Sequence, residues 1–128
     1  MSNQNIETTK KGYAAFNAGD LETALSVFAD TVEWTIGGES MISGTYRGKG
    51  ELTELLAQLA QKSTSVEAKS FLADGDVVVV LTEVTAGGET SQEADVYTFA
   101  SGKIVQAQSF GDTAMQERIF GSKRVAAS

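Results

Sequence analysis

The stretch Ser91–Phe99, SQEADVYTF, sets an acid among aromatic residues. From Ala94 onward it alternates as a β-strand and closes at the turn residues Ala100-Ser101-Gly102-Lys103, so Asp95, Tyr97 and Phe99 share one face. Aspartate is depleted in strands. Two readings follow. The face is wet, near an open end of the sheet, or it lines an apolar cavity that keeps a carboxyl for chemistry. In the second case burial raises the pKa of Asp95 and suits it to proton donation or general acid–base work. Tyr97 is then a donor to a ligand carbonyl or to Asp95 itself, or an ordinary core aromatic whose hydroxyl is satisfied.

Composition gives such a carboxyl weight. The chain has no histidine and no cysteine. That excludes Ser-His-Asp catalysis, imidazole or thiolate metal ligands, and disulfides. Acid–base work falls to Asp, Glu, Tyr or Lys. No metal and no cofactor are expected. The net charge of −7 over 128 residues repels phosphate backbones, so nucleic acid is not an expected partner. The opening residues MSNQNIETTKKG carry no secretory apolar run, and no stretch has the length of a membrane span. An intracellular, cytoplasmic protein without a membrane partner is the expectation. Gly48-Lys49-Gly50 lacks the spacing and the Lys-Ser/Thr of a phosphate-binding loop.

The elements that must position Asp95 read as a single α+β domain over residues 1–128. Residues 5–18 fit a helix, with Ile6, Thr9, Tyr13, Phe16 and Asn17 on helical spacing. Gly19 ends it and Asp20 caps a second helix, Leu21–Asp30, whose stripe is Leu21, Ala24, Leu25 and Phe28. Val32–Ile36 alternates as a half-buried strand with Val32, Trp34 and Ile36 inward and Glu33 outward. SGTYRGKGE leads, as a short strand or turn, into a third helix buried through Leu52, Leu55, Leu56 and Leu59. Four antiparallel strands follow, joined at Asp74-Gly75-Asp76, Gly87-Gly88 and Ser101-Gly102. Val77–Leu81, VVVVL, is apolar on both faces. The helices cover one face, and a homodimer is the simplest cover for the other; a crowded central strand with mildly exposed valines is the alternative.

YAAFNAGDLETALSVFADTVEWTIGG, GTYRGKGELTELLAQL and ASGKIVQAQSF together resemble the SnoaL-like branch of the nuclear transport factor 2 superfamily, with ketosteroid isomerases, limonene epoxide hydrolases and polyketide cyclases as relatives. The resemblance runs from about Asn5 to Gly121. It implies a cone: a strongly curved antiparallel sheet wrapped around three helices from the N-terminal half, enclosing an apolar pocket, in a dimer. It also implies a role for Asp95, which matches the late-sheet aspartate that steroid isomerases keep protonated for an oxyanion. Trp34 stands where the isomerase base would be, and an indole accepts no proton. The isomerase tyrosine aligns near Gly12. Tyr13 lies one residue on, about 100° around the helix, which puts its reach to the pocket acid in question. The Asp-Arg-Asp cluster of the epoxide hydrolases is not evident from Arg47 and Arg118. Asp112, in QSFGDTAMQ, is the candidate for the acid that cyclase relatives carry near the end of the last strand; it also suits an N-cap for a turn TAMQERIF.

The expected site is therefore Asp95 and Asp112 as the acid–base pair, with Trp34, Tyr97, Tyr13 and Phe16 contacting a small apolar ligand. Arg47 is either a carboxylate clamp or a surface partner of a nearby glutamate. Two functions fit: a cofactor-independent isomerase or cyclase acting on an apolar carbonyl compound, or a binding or accessory domain without chemistry. A purely structural dimerisation module would require a pocket filled by side chains.

Overall fold

The computed structural model describes residues 2–123. The helices are α1 (Ser2–Asn17), α2 (Leu21–Ser26), α3 (Gly48–Gln61) and α4 (Thr113–Phe120); the strands are β1 (Phe28–Ile36), β2 (Gly44–Arg47), β3 (Ser65–Asp74), β4 (Val77–Ala86), β5 (Glu89–Ala100) and β6 (Lys103–Phe110). The strands form one curved, unclosed sheet in the order β2-β1-β6-β5-β4-β3. The α+β cone expected from the sequence is the observed architecture.

Three local differences from the sequence reading matter. The sheet is mixed, because β1 runs parallel to β6. The whole of α3, β3, β4 and β5 lies between those two strands, a connection long enough to bring β6 back in the same direction. Secondly, α2 stops at Ser26 and Phe28 opens β1. Buried Phe28 keeps an inward place, but on the strand, where its ring lies 5.6 Å from that of Trp34. Thirdly, TAMQERIF forms the full helix α4, which buries Met115 and Gln116.

Curvature has a visible origin. Register shifts interrupt β1–β6 between Phe28 and Glu33, β3–β4 between Ala68 and Ser70, and β5–β6 between Thr98 and Phe99. Each such irregularity adds bend and twist to its strand. Gly87 and Gly88, with φ of 55° and 82°, form the tight β4–β5 turn, a left-handed pair that favours glycine.

On the concave side α1 packs on β3 and β4, and α3 packs on β1 and β2. Val32, Leu52, Leu55, Val78, Val80 and Ile104 form the most buried part of the core. On the convex side Leu81 stays 45% exposed, Leu72 54% and Phe110 52%. Leu81, Ala94 and Phe110 sit in one cross-strand row, and Leu72, Val79 and Val96 in another. Among the described residues no helix is long and apolar enough to cross a membrane.

Candidate functional site

Asp95 is 8% exposed and faces the inside of the cone. Its strand alternates regularly, so Glu93, Asp95, Tyr97 and Phe99 all turn inward. The backbone register then chooses their partners. Asp95 lies opposite Ser109 of β6, and Ser109 Oγ donates to Asp95 Oδ1 at 2.8 Å. Tyr97 lies opposite Ala107, and Ala107 lies opposite Trp34. The small alanine leaves room for the rings on either side, which meet edge to face with centroids 5.8 Å apart. Trp34 Nε1 donates to Ser109 Oγ at 2.8 Å.

The remaining hydroxyl comes from α1. Tyr13 donates to Asp95 Oδ2 at 2.6 Å, and Tyr97 donates to Tyr13 Oη at 2.8 Å. A longer approach, 3.3 Å, links Tyr97 to the same Oδ2. The sequence left the reach of Tyr13 in question; the structure brings it to Asp95. Gly12 explains why. A Cβ there would stand 3.2 Å from Val27 Cγ2, so the glycine face of α1 lies against Val27 and the next residue points to the sheet.

Burial pushes the pKa of Asp95 above its ordinary value, and the hydroxyls of Tyr13, Ser109 and Tyr97 pull it back only in part. Burial likewise raises Tyr97 and Tyr13, with the neighbouring carboxyl and each other's hydroxyl adding to the effect on Tyr13. Both tyrosines therefore remain O–H donors at neutral pH.

These groups line a cavity of about 120 Å³, against the ~10–15 Å³ that one water requires. Phe16, Phe28, Ile36, Ile42, Leu56 and Leu59 supply apolar wall. Trp34, Tyr97, Tyr13 and Phe16 all line it.

Asp112 does not. It is exposed, and its Oδ1 accepts from Met115 N at 2.9 Å, which makes it the N-cap of α4. The expected Asp95–Asp112 pair in one cavity is therefore not formed: the chain turns at Gly111, and the backbone donors of α4 take the carboxylate. The second carboxyl on the cavity wall is Glu93, which sequence reasoning missed. Burial raises its pKa, Ser91 lowers it, and the charges of Asp95 and Asp112 raise it. The signal was available, since Glu93 lies two residues before Asp95 on the same alternating face. Ser109 had no such signal, because its role depends on cross-strand register. Arg47 pairs with Glu33 on the surface at 3.9 Å, the ordinary alternative of its two readings. Among the described residues no group of three or more acids is placed to hold a metal ion.

A curved sheet closed by helices over an apolar cavity with carboxyls in its wall defines a small-molecule pocket protein. Residues 10–107 match the SnoaL-like domain family, and the chain belongs to it. It is 30% identical over 113 residues to the uncharacterized protein Rv0034 of Mycobacterium tuberculosis, covering 82% of this chain and 86% of the relative. Bal32a from a soil-derived mobile gene cassette superposes with a TM-score of 0.86 at 24% identity, over 93% of this chain and 98% of its own. TerC, co-crystallized with polyporic acid, superposes with a TM-score of 0.80 at 28% identity, over 93% of this chain and 99% of its own.

Proposed function

We propose that the cone binds a compact, largely apolar carbonyl compound and that Asp95 exchanges a proton at the carbon next to the carbonyl. The observation that carries this reading is Asp95 itself: a carboxyl in an apolar cavity wall, its pKa raised by burial, with tyrosine hydroxyls beside it. As a carboxylate it takes a proton from the alpha carbon. The electron pair of that C–H bond moves to the carbonyl oxygen, and the hydroxyl of Tyr13 or Tyr97 stabilises the enolate by donating to it. The neutral Asp95 then returns the proton to the same or a neighbouring carbon, which gives exchange or isomerisation. A carboxyl whose pKa burial has raised is suited to both halves. The family membership and the TerC complex with a small molecule support a pocket used for binding.

The experiment uses acetophenone as probe. Binding is followed by the fluorescence of Trp34, the one tryptophan, and chemistry by the incorporation of deuterium into the methyl group in D₂O. The wild type is expected to bind and to accelerate exchange, and Asp95→Asn to lose the acceleration while staying folded. Equal exchange by the two proteins would remove Asp95 from the chemistry.

A second reading has its own observation. Trp34 occupies the first-strand position where steroid isomerases carry their base, and its indole N–H only donates, here to Ser109. On that reading the pocket binds without converting, and acetophenone binds the wild type with exchange no faster than in buffer. For either reading we infer a homodimer in which a second copy covers the convex face; the exposed Leu72, Leu81 and Phe110 support it.

A further inference from the structure

The cavity has a second polar end that the proton-transfer reading does not use. Gln116 of α4 is 8% exposed and lines the cavity, yet its Oε1 has no hydrogen-bond partner among the described residues. Thr64, just before β3, lines the same cavity, and its buried Oγ1 also has no partner among the described residues. Glu93 lines the same cavity; its Oε2 accepts from Ser91 Oγ at 3.0 Å, and Gln116 lies near enough to favour its charged form. Buried polar groups are nearly always paired, so two orphans among the residues lining one cavity point to a group that the described residues do not supply. Gly111 makes the arrangement possible. A Cβ there would fall 2.4 Å from Glu93 Cδ, so only glycine lets the carboxyl lie where it does.

We propose that Glu93, Gln116 and Thr64 form a subsite for a hydroxyl group, so that the ligand is a hydroxylated carbonyl compound. An acceptor-rich end asks for a donor. A hydroxyl meets it without bringing a charge into apolar walls. Glu93 and Asp95 are two residues apart on β5, on the order of 7 Å along the strand. That matches the spacing of a carbonyl and a hydroxyl across one aromatic ring. This ligand class rests on the carbonyl reading of Asp95, whereas the subsite stands on its own residues.

The test separates the two. Para-cresol and toluene differ by one hydroxyl and carry no carbonyl. The wild type is expected to prefer para-cresol roughly three- to tenfold in an NMR chemical-shift titration, as one net hydrogen bond gives. Gln116→Leu should abolish the preference without weakening toluene, and Asp95→Asn should keep it. Gly111→Ala, which displaces the Glu93 carboxyl, is the second variant and should reduce the preference in the same way. A preference that survives Gln116→Leu and Gly111→Ala, or is lost only in Asp95→Asn, overturns the subsite. Equal binding of para-cresol and toluene by the wild type overturns it too. Para-hydroxyacetophenone then tests the ligand class. It should bind more tightly than acetophenone by the same factor, with acetophenone alone reporting on Asp95.

Discussion

Replacing Tyr13 with phenylalanine removes one oxygen and leaves the ring. That oxygen donates to Asp95 Oδ2 at 2.6 Å and accepts from Tyr97 at 2.8 Å. A hydrogen bond to a charged group contributes about 1.5–3 kcal/mol, and one between neutral hydroxyls about 0.5–1.5 kcal/mol. Tyr97, already 3.3 Å from Oδ2, can turn its hydroxyl to the carboxylate and recover the smaller part. The ring still packs edge-on against Phe71 and Tyr97, so no core cavity opens. With the carboxyl ionised, the expected loss is therefore ~1.5–3 kcal/mol. It carries a pH signature. The folded pKa of Asp95 lies above its ordinary value, so the contribution of this group to stability is complete below that ordinary value. It is lost as pH rises through the folded pKa. Tyr13 opposes the rise by favouring the charged form. Tyr13→Phe should thus raise the Asp95 pKa further and cost more above the folded pKa of Asp95 than below it. Urea unfolding at several pH values measures the first effect, and an NMR titration of the Asp95 carboxyl the second. An equal loss at every pH, or an Asp95 pKa that does not rise, would refute the hydrogen bond on which the site is built.

Other outcomes follow from the same geometry. Asp95→Asn removes a titrating group, so the fall in stability on the alkaline side of the ordinary aspartate pKa should become shallower by at most ~1.4 kcal/mol per pH unit, as measured by urea midpoints against pH. Asp112→Ala should cost about 1 kcal/mol through the lost cap of α4 and leave acetophenone binding unchanged; weaker binding would restore Asp112 to the site. Leu81→Glu places a charge in the exposed apolar row with Ala94 and Phe110 and should convert the proposed dimer to a monomer in sedimentation analysis. An unchanged mass would move the interface elsewhere.

The sequence alone determined what local pattern can determine. The turns at Asp74-Gly75-Asp76 and Gly87-Gly88 lie where their residues demand them, and Asp20 caps α2 with its side chain accepting from Thr23 N. Period-two alternation turned Asp95, Tyr97 and Trp34 inward, and the absence of histidine and cysteine made a carboxyl the natural centre of any chemistry. The choice between a wet and a buried Asp95 was not local, since it depends on how far the sheet curls and what closes over it. Only the tertiary structure seats Tyr13 and Ser109 on that carboxyl, from residues 82 and 14 positions away. The same holds for Asp112 and Glu93. The stretch around each acid is compatible with a pocket, but Asp112 meets the free backbone donors of α4 while Glu93 falls against Gly111 inside the cone. Alternation decides which face a side chain takes; register, helix roll and curvature decide what it meets there, and those are set by contacts between segments far apart in the chain.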